Sequence, residues 1–359
     1  MSAKTDLLGL TPEELEALLK GLGEPGYRAE QIFGWLHGKL AASFDEMTNL
    51  PGPLRTRLKE TFEIGGVNIQ KRLVSSIDGT VKYLYGATGG DVIEGALMRH
   101  RHGNSLCISS QVGCRMACAF CASTLGGLAR NLTPGEMLGQ VYASARDLNP
   151  DKIGSVVLMG IGEPLDNFES VCRFLELLSH PEGFGLSLRR VSLSTCGLVD
   201  GIYKLAEKNY PLTLSVSLHA INDDTRSRIM PVNRGHNLAD LMAACRDYFA
   251  KTGRRISFEY CLILGENDSP ADALALAGLL KGQNCHLNLI PLNSVSERNF
   301  ARPSPAGVRA FQTELEQLGI SVTLRRELGA DIAAACGQLR NGSEQITINN
   351  DCAAFGDKL

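Results

Sequence analysis

An open, partial barrel of six β/α units, preceded by a small helical unit, is the fold that this 359-residue sequence predicts. After residue 104, apolar strand-like runs alternate strictly with helical segments, which is typical of a parallel sheet flanked by helices. That region is shorter than the roughly 250 residues of a complete eight-unit barrel. Before residue 63, the apolar residues follow a helical period and form no strand-like run. We therefore expect an α/β protein with one large part and one small part.

The helical unit is expected over residues 1–62. Its first helix begins in "TPEELEALLKGL", where Thr11 is a suitable N-cap and Pro12 occupies the first helical position. The stretches "YRAEQIFGWLHGKL" and "PGPLRTRLKETF" continue the helical pattern. Residues 63–103 contain short β-rich runs interrupted by Asp78-Gly79 and Gly89-Gly90, which favour hairpin turns. This second stretch is expected to form a connecting sheet.

The large part is expected over residues 104–331. Its strand-like runs are "SLCISS", "SVVLMG", "RVSLST", "LTLSVS", "ISFEYCLI" and "HLNLI", and helical segments are expected at 134–147, 238–251 and 305–318. In parallel α/β folds, ligands bind at the carboxyl ends of the strands. Polar residues that follow these runs are therefore the candidates for function.

Composition indicates an ordinary globular protein, with 44% hydrophobic residues and a net charge of −3. The sequence shows neither an export signal nor a long apolar run, so we expect a cytoplasmic protein that does not enter a membrane. Eleven cysteines in such a protein favour metal or redox chemistry over disulfides. The net charge neither requires nor excludes an RNA partner, although arginine pairs such as Arg325-Arg326 could form a local basic patch.

Three cysteines are the strongest chemical signal. Cys114, Cys118 and Cys121 have the spacing C-x3-C-x2-C in the loop after the first strand of the large part. A structural zinc site takes four ligands, and no second cysteine or histidine pair lies nearby. Three thiolates on a [4Fe-4S] cluster would leave one iron open for another ligand.

This motif, with Phe120 before its last cysteine, resembles the signature of the radical S-adenosylmethionine (SAM) superfamily. The resemblance implies a partial (β/α)6 radical SAM barrel, a [4Fe-4S] cluster and SAM as cofactors. In that superfamily, SAM binds the open iron and is cleaved to methionine and a 5′-deoxyadenosyl radical. The second strand ends in "LMGIGEPLDN", which resembles the superfamily's motif for the SAM amino group. By the same resemblance, the SAM pocket would contain Gly162, Glu163, Ser194, Ser217, Leu218, His219 and Asn293.

A narrower resemblance covers nearly the whole chain. The motifs "LCISSQVGCRMACAFC", "MGIGEPL", "LSVSLHA", "RIMPVNR", "NLIPLN" and "GADIAAACGQL" resemble the RlmN-type ribosomal RNA adenine methyltransferases in content and order. The visible departure is Ile161, where the family has Met, and it is conservative. The resemblance implies methylation of carbon 2 of one adenosine in 23S rRNA, and of an adenosine in the anticodon loop of some tRNAs. The helical unit over residues 1–62 lies outside the catalytic part and carries several cations, so we expect it to bind RNA; the alternative is that it only covers a sheet edge. These cations are Arg28, Lys39, Arg55, Arg57 and Lys59.

Three further residues receive roles from this resemblance alone. One SAM would methylate Cys336, in the C-terminal segment 332–359, and a second SAM would provide the radical that activates this methyl group. The resulting carbon radical would add to the adenine, and Cys107 would then attack the sulfur of Cys336, releasing the methylated base as a disulfide forms. Glu94 matches the family's proposed proton acceptor. Without the resemblance, both cysteines would be interpreted as core residues and Glu94 as an exposed strand residue.

Two alternatives remain open at this point. The sister activity, methylation of carbon 8 of the same adenosine, uses the same cluster and the same two cysteines. A metal-stabilised RNA-binding module without catalysis would contain zinc and would need neither Cys107 nor Cys336. The expected partners are 23S rRNA, tRNA and an electron donor such as flavodoxin or ferredoxin, and the expected state is a monomer. The remaining cysteines, Cys352 among them, are interpreted as core or incidental.

Overall fold

A sheet of ten strands organises residues 4–340, which are the residues that the computed structural model describes. The strands of the chain are β1 (Thr5–Asp6), β2 (Phe62–Glu63), β3 (Asn68–Val74), β4 (Val81–Gly86), β5 (Val92–His100), β6 (Gly103–Cys107), β7 (Gln111–Gly113), β8 (Leu128–Asn131), β9 (Ile153–Leu158), β10 (Val191–Thr195), β11 (Thr213–Ser217), β12 (Ile256–Leu262), β13 (Cys285–Pro291) and β14 (Val322–Leu324). The helices are α1 (Pro12–Gly21), α2 (Tyr27–Phe33), α3 (Gly52–Thr61), α4 (Pro134–Leu148), α5 (Phe168–Ser179), α6 (Val199–Lys208), α7 (Asp223–Ile229), α8 (Leu238–Thr252), α9 (Pro270–Leu280) and α10 (Pro305–Gln317).

The parallel part of this sheet is the predicted partial barrel with one further strand that the sequence did not predict, β14, at its edge. Its order is β14-β13-β12-β11-β10-β9-β6, and every neighbouring pair is parallel. The six predicted strands and the three predicted helices are confirmed, with small shifts at their ends. Helix α4 shows why the local sequence is decisive, since Thr133 and Glu136 form a reciprocal capping box around Pro134.

The predicted connecting sheet continues the barrel sheet. Strands β3, β4 and β5 pair antiparallel, and β5 pairs antiparallel with β6, the first strand of the barrel. The turn between β5 and β6 therefore lies at residues 101–102, beside the barrel. This arrangement brings side chains of β4 and β5 close to the C-terminal part of the described chain.

The helical unit contains the three predicted helices and, against the prediction of no strand, a two-residue parallel pair of β1 with β2. Its apolar side chains share one continuous core with the barrel. Buried His37 accepts or donates a hydrogen bond with the Tyr142 hydroxyl on α4, at 2.8 Å, and its ring lies against Phe33. The unit is therefore packed on α4 rather than held at a distance by a linker.

Two further expectations concern the C-terminal segment and the insertion of the chain into a membrane. Of the predicted C-terminal segment 332–359, the structure describes residues 332–340, so Cys352 lies outside the described residues. No helix between residues 4 and 340 has both the length and the apolar character needed to cross a membrane.

Candidate active site

The cysteine loop lies between β7 and β8, in the connection from the carboxyl end of β6 to α4. Gly113 is required at the closing point of the β7–β8 hairpin, because a Cβ there would lie 1.9 Å from the Gly127 carbonyl oxygen. The amide of Cys114 donates to that same carbonyl at 2.8 Å, and Ala119 N–H donates to the Ile229 carbonyl. These bonds hold the loop across the end of the barrel.

The three thiols of this loop border one cavity. It contains about 1000 Å³ of empty space, part of it open to solvent, and Cys114, Cys118 and Cys121 lie in its wall. Much of the remaining wall comes from the carboxyl ends of β9 to β13, and Met230, Arg325, Cys336 and Gly337 complete it together with other residues of the cysteine loop. We call this space the cysteine cavity. It lies where the sequence predicted ligands to bind.

Burial dominates the acid–base behaviour of these thiols. It raises the pKa of Cys114 to about 12 and raises the pKa of Cys118 and Cys121, and the neighbouring thiols oppose ionisation further. Such thiols stay protonated at neutral pH unless a metal replaces the protons, because metal binding and thiol ionisation are coupled. No three His, Cys, Asp or Glu side chains within residues 4–340 are grouped around a single metal ion position. In a cubane each thiolate binds a different iron, so the relevant observation is the cavity that all three thiols share.

Glu163 is the buried acidic group of the cysteine cavity. Its two carboxylate oxygens accept hydrogen bonds from Leu165 N–H at 3.0 Å and Cys196 N–H at 2.7 Å, while burial raises its pKa. Gly160 and Gly162, which precede Glu163, have a packing role that the sequence did not suggest. A Cβ on Gly160 or Gly162 would collide with the chain at Ile108–Gln111, so these glycines permit close packing of two loops. That packing fixes the carboxylate at the cavity wall.

His219 is held in one tautomer. Its Nδ1 accepts a hydrogen bond from Cys261 N–H at 2.9 Å, so the proton of the neutral ring is on Nε2. Burial, with the charge of Arg226, lowers the pKa of His219 to about 3. The fully buried Arg226 donates to the carbonyls of Cys196, Ser217 and Leu218, and thereby joins the ends of β10 and β11. Sequence reasoning missed Arg226, because its partners come from three separate segments.

A second cavity adjoins the first. It lies between the β5–β6 pair and the β13–β14 edge, where the partial barrel is open, and we call it the lateral cavity. Cys107 and Cys336 both line it. Cys336, Arg325, Asn293, Met159 and Ile290 line the cysteine cavity as well, so they form the partition between the two spaces.

Burial and the neighbouring charges change the acidity of Cys107. Burial, and to a smaller extent the nearby Cys336 thiol, raise the pKa of Cys107 to about 12, while Arg325 acts in the opposite direction. The proximity of the Cys336 thiol raises the pKa of Arg325 against the effect of burial. Arg325 also donates to Glu259 Oε2 at 3.3 Å and contacts the Met159 sulfur. Its guanidinium is therefore placed to stabilise a thiolate at either cysteine.

The segment that carries Cys336 is fixed at several points. Asn293 Nδ2 donates to the Cys336 carbonyl at 2.9 Å, and Ala122 N–H donates to the Gly337 carbonyl at 2.8 Å, which joins the segment to the cysteine loop. On its other side, Lys82 Nζ donates to the Ala333 carbonyl at 3.1 Å, and Glu94 Oε2 accepts from Arg340 N–H at 2.8 Å. Lys82 and Glu94 are themselves paired.

The structure unites most, but not all, of the predicted site residues. The cysteine cavity is lined by Cys114, Cys118, Cys121, Gly162, Glu163, Ser194, Ser217, His219, Asn293 and Cys336. Leu218 is wholly buried and lines neither of the two cavities. Glu94 also lines neither cavity, and the interpretation of it as an exposed strand residue is wrong, because it is 4% exposed.

The residues present fit the implied cofactors. Three thiols face one cavity, and Asn293 Oδ1 in its wall is buried without a hydrogen-bond partner among the described residues, which leaves an acceptor for a bound molecule. Glu163 supplies a buried carboxylate, and the Ser194 and Ser217 hydroxyls supply neutral polar groups. This set suits a cluster together with a zwitterionic ligand such as SAM.

Comparison with known proteins identifies the family. Residues 5–64 match the ribosomal RNA large subunit methyltransferase N-terminal domain, and residues 108–277 match the radical SAM superfamily. The chain is 50% identical over 348 residues to the "probable dual-specificity RNA methyltransferase RlmN" of Lachnoclostridium phytofermentans, which covers 97% of this chain and 98% of that protein. It is 49% identical to the Alkaliphilus oremlandii protein of the same name, over 94% of this chain and 98% of the relative.

A solved structure agrees with these matches. The crystal structure of a radical SAM methyltransferase from Sphaerobacter thermophilus is 44% identical and superposes with a TM-score of 0.91, covering 93% of this chain and 99% of that one. Similarity at this level extends over the helical unit, the barrel and the cysteine loop together. The chain is therefore an enzyme that belongs to the RlmN family of radical SAM RNA methyltransferases.

Proposed function

We propose that this enzyme methylates carbon 2 of one adenosine in 23S rRNA and of an adenosine in the anticodon loop of some tRNAs. The observation that carries methyl transfer through a cysteine is the position of Cys336 in the partition between the cysteine cavity and the lateral cavity, with Cys107 in the latter. The likeness of the whole chain to RlmN relatives supports carbon 2. A methyl-carrying thiol needs access to a methyl donor on one side and to the base on the other. The names of the relatives support an RNA substrate of two kinds.

Nine of the ten residues predicted to hold the cofactors line the cysteine cavity. Cys114, Cys118 and Cys121 would bind a [4Fe-4S] cluster, and SAM would contact Gly162, Glu163, Ser194, Ser217, His219 and Asn293. Leu218, predicted with them, lines neither cavity, and its amide and carbonyl are hydrogen-bonded to Glu259 and Arg226. When bound, these groups supply a methyl group and a hydrogen-abstracting radical. The wall residues exclude water and orient the ligand, because Glu163 and His219 are buried and hydrogen-bonded in fixed positions.

The chain's own residues carry the transfer. Cys336 Sγ accepts the methyl group, holds it while it becomes joined to the adenine, and remains bonded to the carbon until a second sulfur displaces it. Cys107 attacks the Cys336 sulfur as a thiolate, so that the carbon–sulfur bond breaks as the Cys107–Cys336 disulfide forms. The departing carbon keeps the bonding electron pair and takes up a proton, which completes the methyl group of the base. Arg325 favours the thiolate form by lowering the pKa of Cys107 against the effect of burial. A thiol reductant then restores both thiols, whereas the electron donor, such as flavodoxin or ferredoxin, would serve the cluster.

Glu94 differs from the other assigned residues in that its carboxylate already has partners. The resemblance gives it the role of proton acceptor, whereas its carboxylate is occupied by Lys82 and by the Arg340 amide. We keep the role as a proposal, along with a cytoplasmic location and a monomeric state. A Glu94→Gln variant that formed the bond to RNA but did not complete the reaction would support it.

The decisive experiment is nucleoside mass spectrometry. Cells that lack this methylation would express the protein, and their 23S rRNA and tRNA would be digested to nucleosides. We expect 2-methyladenosine from the wild-type protein and none from Cys336→Ala, with Cys172→Ala, a core cysteine of α5, as the matched control. Detection of 8-methyladenosine instead would assign the sister activity. Absence of both products would contradict the proposal.

A further inference from the structure

The lateral cavity has a cationic rim. Six basic side chains line it, four from the end of β5 and the β5–β6 turn and two from the end of β14, namely Arg99, His100, Arg101, His102, Arg325 and Arg326. The acidic residues in the same wall are Asp78 and Glu327. Asp78 already accepts hydrogen bonds from the Thr80 and Gly329 amides, and Glu327 is paired with Arg302. Arg99 and Arg325 have acidic partners of their own, Asp151 and Glu259, so among residues 4–340 the unpaired positive charge of the rim is that of Arg101 and Arg326.

The two sides of this rim face each other. Partial burial lowers the pKa of His100, and the charges of His102, Arg325 and Arg326 lower it further, which requires the β14 side to lie close to the β5–β6 side. The rings of His100 and His102 are stacked, with centroids 5.4 Å apart. Arg101 and Arg326 are exposed and form no ion pair with the described residues. They are thus available to an anion from outside.

The basic residues of the helical unit differ in this respect. Arg55 donates to the Asp45 carbonyl, Lys59 pairs with the Asp45 carboxylate, and Arg57 donates to the Leu22 carbonyl. Lys39 lies over the Trp35 ring, 3.7 Å from its centroid. These cations already have partners within their own unit. In contrast, Arg101 and Arg326 of the rim form no ion pair with the described residues and are available to bind phosphate.

We propose that the rim of the lateral cavity binds RNA backbone phosphates beside the nucleotide whose base reaches Cys336, with Arg101 and Arg326 as the principal contacts. This inference rests on the proposed function. The cavity leads from these arginines to both functional cysteines, so a nucleotide that enters here meets Cys336 while its phosphates remain at the rim. Phosphate contacts of this kind position RNA without reading its sequence.

An acidic electron-transfer protein is the other partner that a cationic rim could attract. It is disfavoured, because electrons must reach the three cysteines, and these line the cysteine cavity on the far side of the partition. The base, in contrast, must reach Cys107 and Cys336, which line the cavity that the rim surrounds. The geometry therefore favours RNA.

The test measures RNA binding as a function of salt. Arg101→Gln, Arg326→Gln and the double variant would be titrated against a fluorescein-labelled RNA hairpin with an adenosine in its loop, with Arg246→Gln as the control, since Arg246 is exposed on α8. Each single variant should bind several-fold more weakly and lower the slope of log K against log salt by about 1. The double variant should lower it by about 2. SAM cleavage without RNA should be unchanged.

The possible outcomes distinguish a failure of this proposal from a failure of the proposed function on which it rests. Rim variants that bind RNA like Arg246→Gln would overturn the assignment of the rim. Rim variants that keep their RNA affinity but are reduced more slowly by flavodoxin would overturn it too, and would assign the surface to the electron donor. A wild-type protein that neither binds nor methylates RNA would contradict the proposed function itself.

Discussion

Lys82 Nζ lies 2.8 Å from Glu94 Oε2, and both side chains are almost wholly buried, with 2% and 5% of their surfaces exposed. The pair joins the two ends of the segment that carries Cys336, because Lys82 also donates to the Ala333 carbonyl and Glu94 also accepts from Arg340 N–H. Neighbouring strands β4 and β5 thus fix a segment that is more than 200 residues away in sequence. A buried pair of this kind is costly to break on one side only.

Lys82→Met should therefore destabilise the fold by about 3–5 kcal/mol, since it leaves the Glu94 charge buried and unpaired. Denaturant unfolding would measure the loss, and hydrogen exchange should become faster in the peptide over residues 333–340. Lys251→Met is the matched control, because Lys251 belongs to an exposed pair with Glu207 and should change stability little. The double variant Lys82→Met, Glu94→Met should recover part of the loss. Equal stability of Lys82→Met and Lys251→Met would refute the importance of the pair.

Replacement of Cys114, Cys118 or Cys121 by Ala should remove the bound iron, SAM cleavage and methylation together. Each thiolate would hold a different iron, so loss of one leaves the cluster incomplete. Iron and sulfide analysis after anaerobic purification is the measurement. Cys245→Ala, at a buried position on α8, should keep its iron. A zinc content in place of iron and sulfide would instead favour a metal-stabilised RNA-binding module.

Cys107→Ala should accumulate a covalent adduct between Cys336 and RNA, because the sulfur that releases the base is missing. Cys336→Ala should form no adduct, and the double variant should behave like Cys336→Ala, since the earlier block hides the later one. Denaturing gels with SAM, reductant and labelled RNA would show an RNase-sensitive shifted band for Cys107→Ala alone. Normal release of methylated RNA by Cys107→Ala would remove Cys107 from the mechanism.

His37 makes stability depend on pH. Burial, with the charge of His180, lowers its pKa to about 3 from an unfolded value near 6.5. A base with a depressed pKa contributes stability that is complete above pH 6.5 and is lost as pH falls towards 3. Between pH 6.5 and pH 5 the loss should be about 2 kcal/mol, since each unit corresponds to about 1.4 kcal/mol.

Two variants separate the titration of His37 from its hydrogen bond with Tyr142. His37→Phe should reduce the difference in unfolding free energy between pH 8 and pH 5 by about that amount. Tyr142→Phe removes the hydrogen bond but not the titrating ring, so it should lower stability by a similar amount at both pH values. If His37→Phe retained the wild-type difference, another group would be responsible for the acid sensitivity.

The sequence predicted those features that depend on residues close together along the chain. The capped start of α4, the alternation of strands and helices, and the position of the cysteine loop after β6 are local, and the structure confirms them. The site residues that sequence reasoning missed, Lys82 and Arg226, share another property with Arg325, which the sequence indicated only as one member of an arginine pair. Each lies near its partners only after distant segments have packed together, and a buried Lys or Arg has no spacing that distinguishes it from a surface one.

The shared core of the helical unit and the barrel has a consequence for synthesis on the ribosome. Leu7 and Leu8 are buried in that core, and the short turn that contains them contacts α4, which ends at residue 148. The nascent unit therefore lacks its packing surface until α4 has left the exit tunnel, a delay of several seconds at roughly 5–20 residues per second. During that interval its apolar face is open to chaperones and to other nascent chains. Slowing translation between residues 63 and 148 should lengthen the exposure and increase aggregation of the newly made protein.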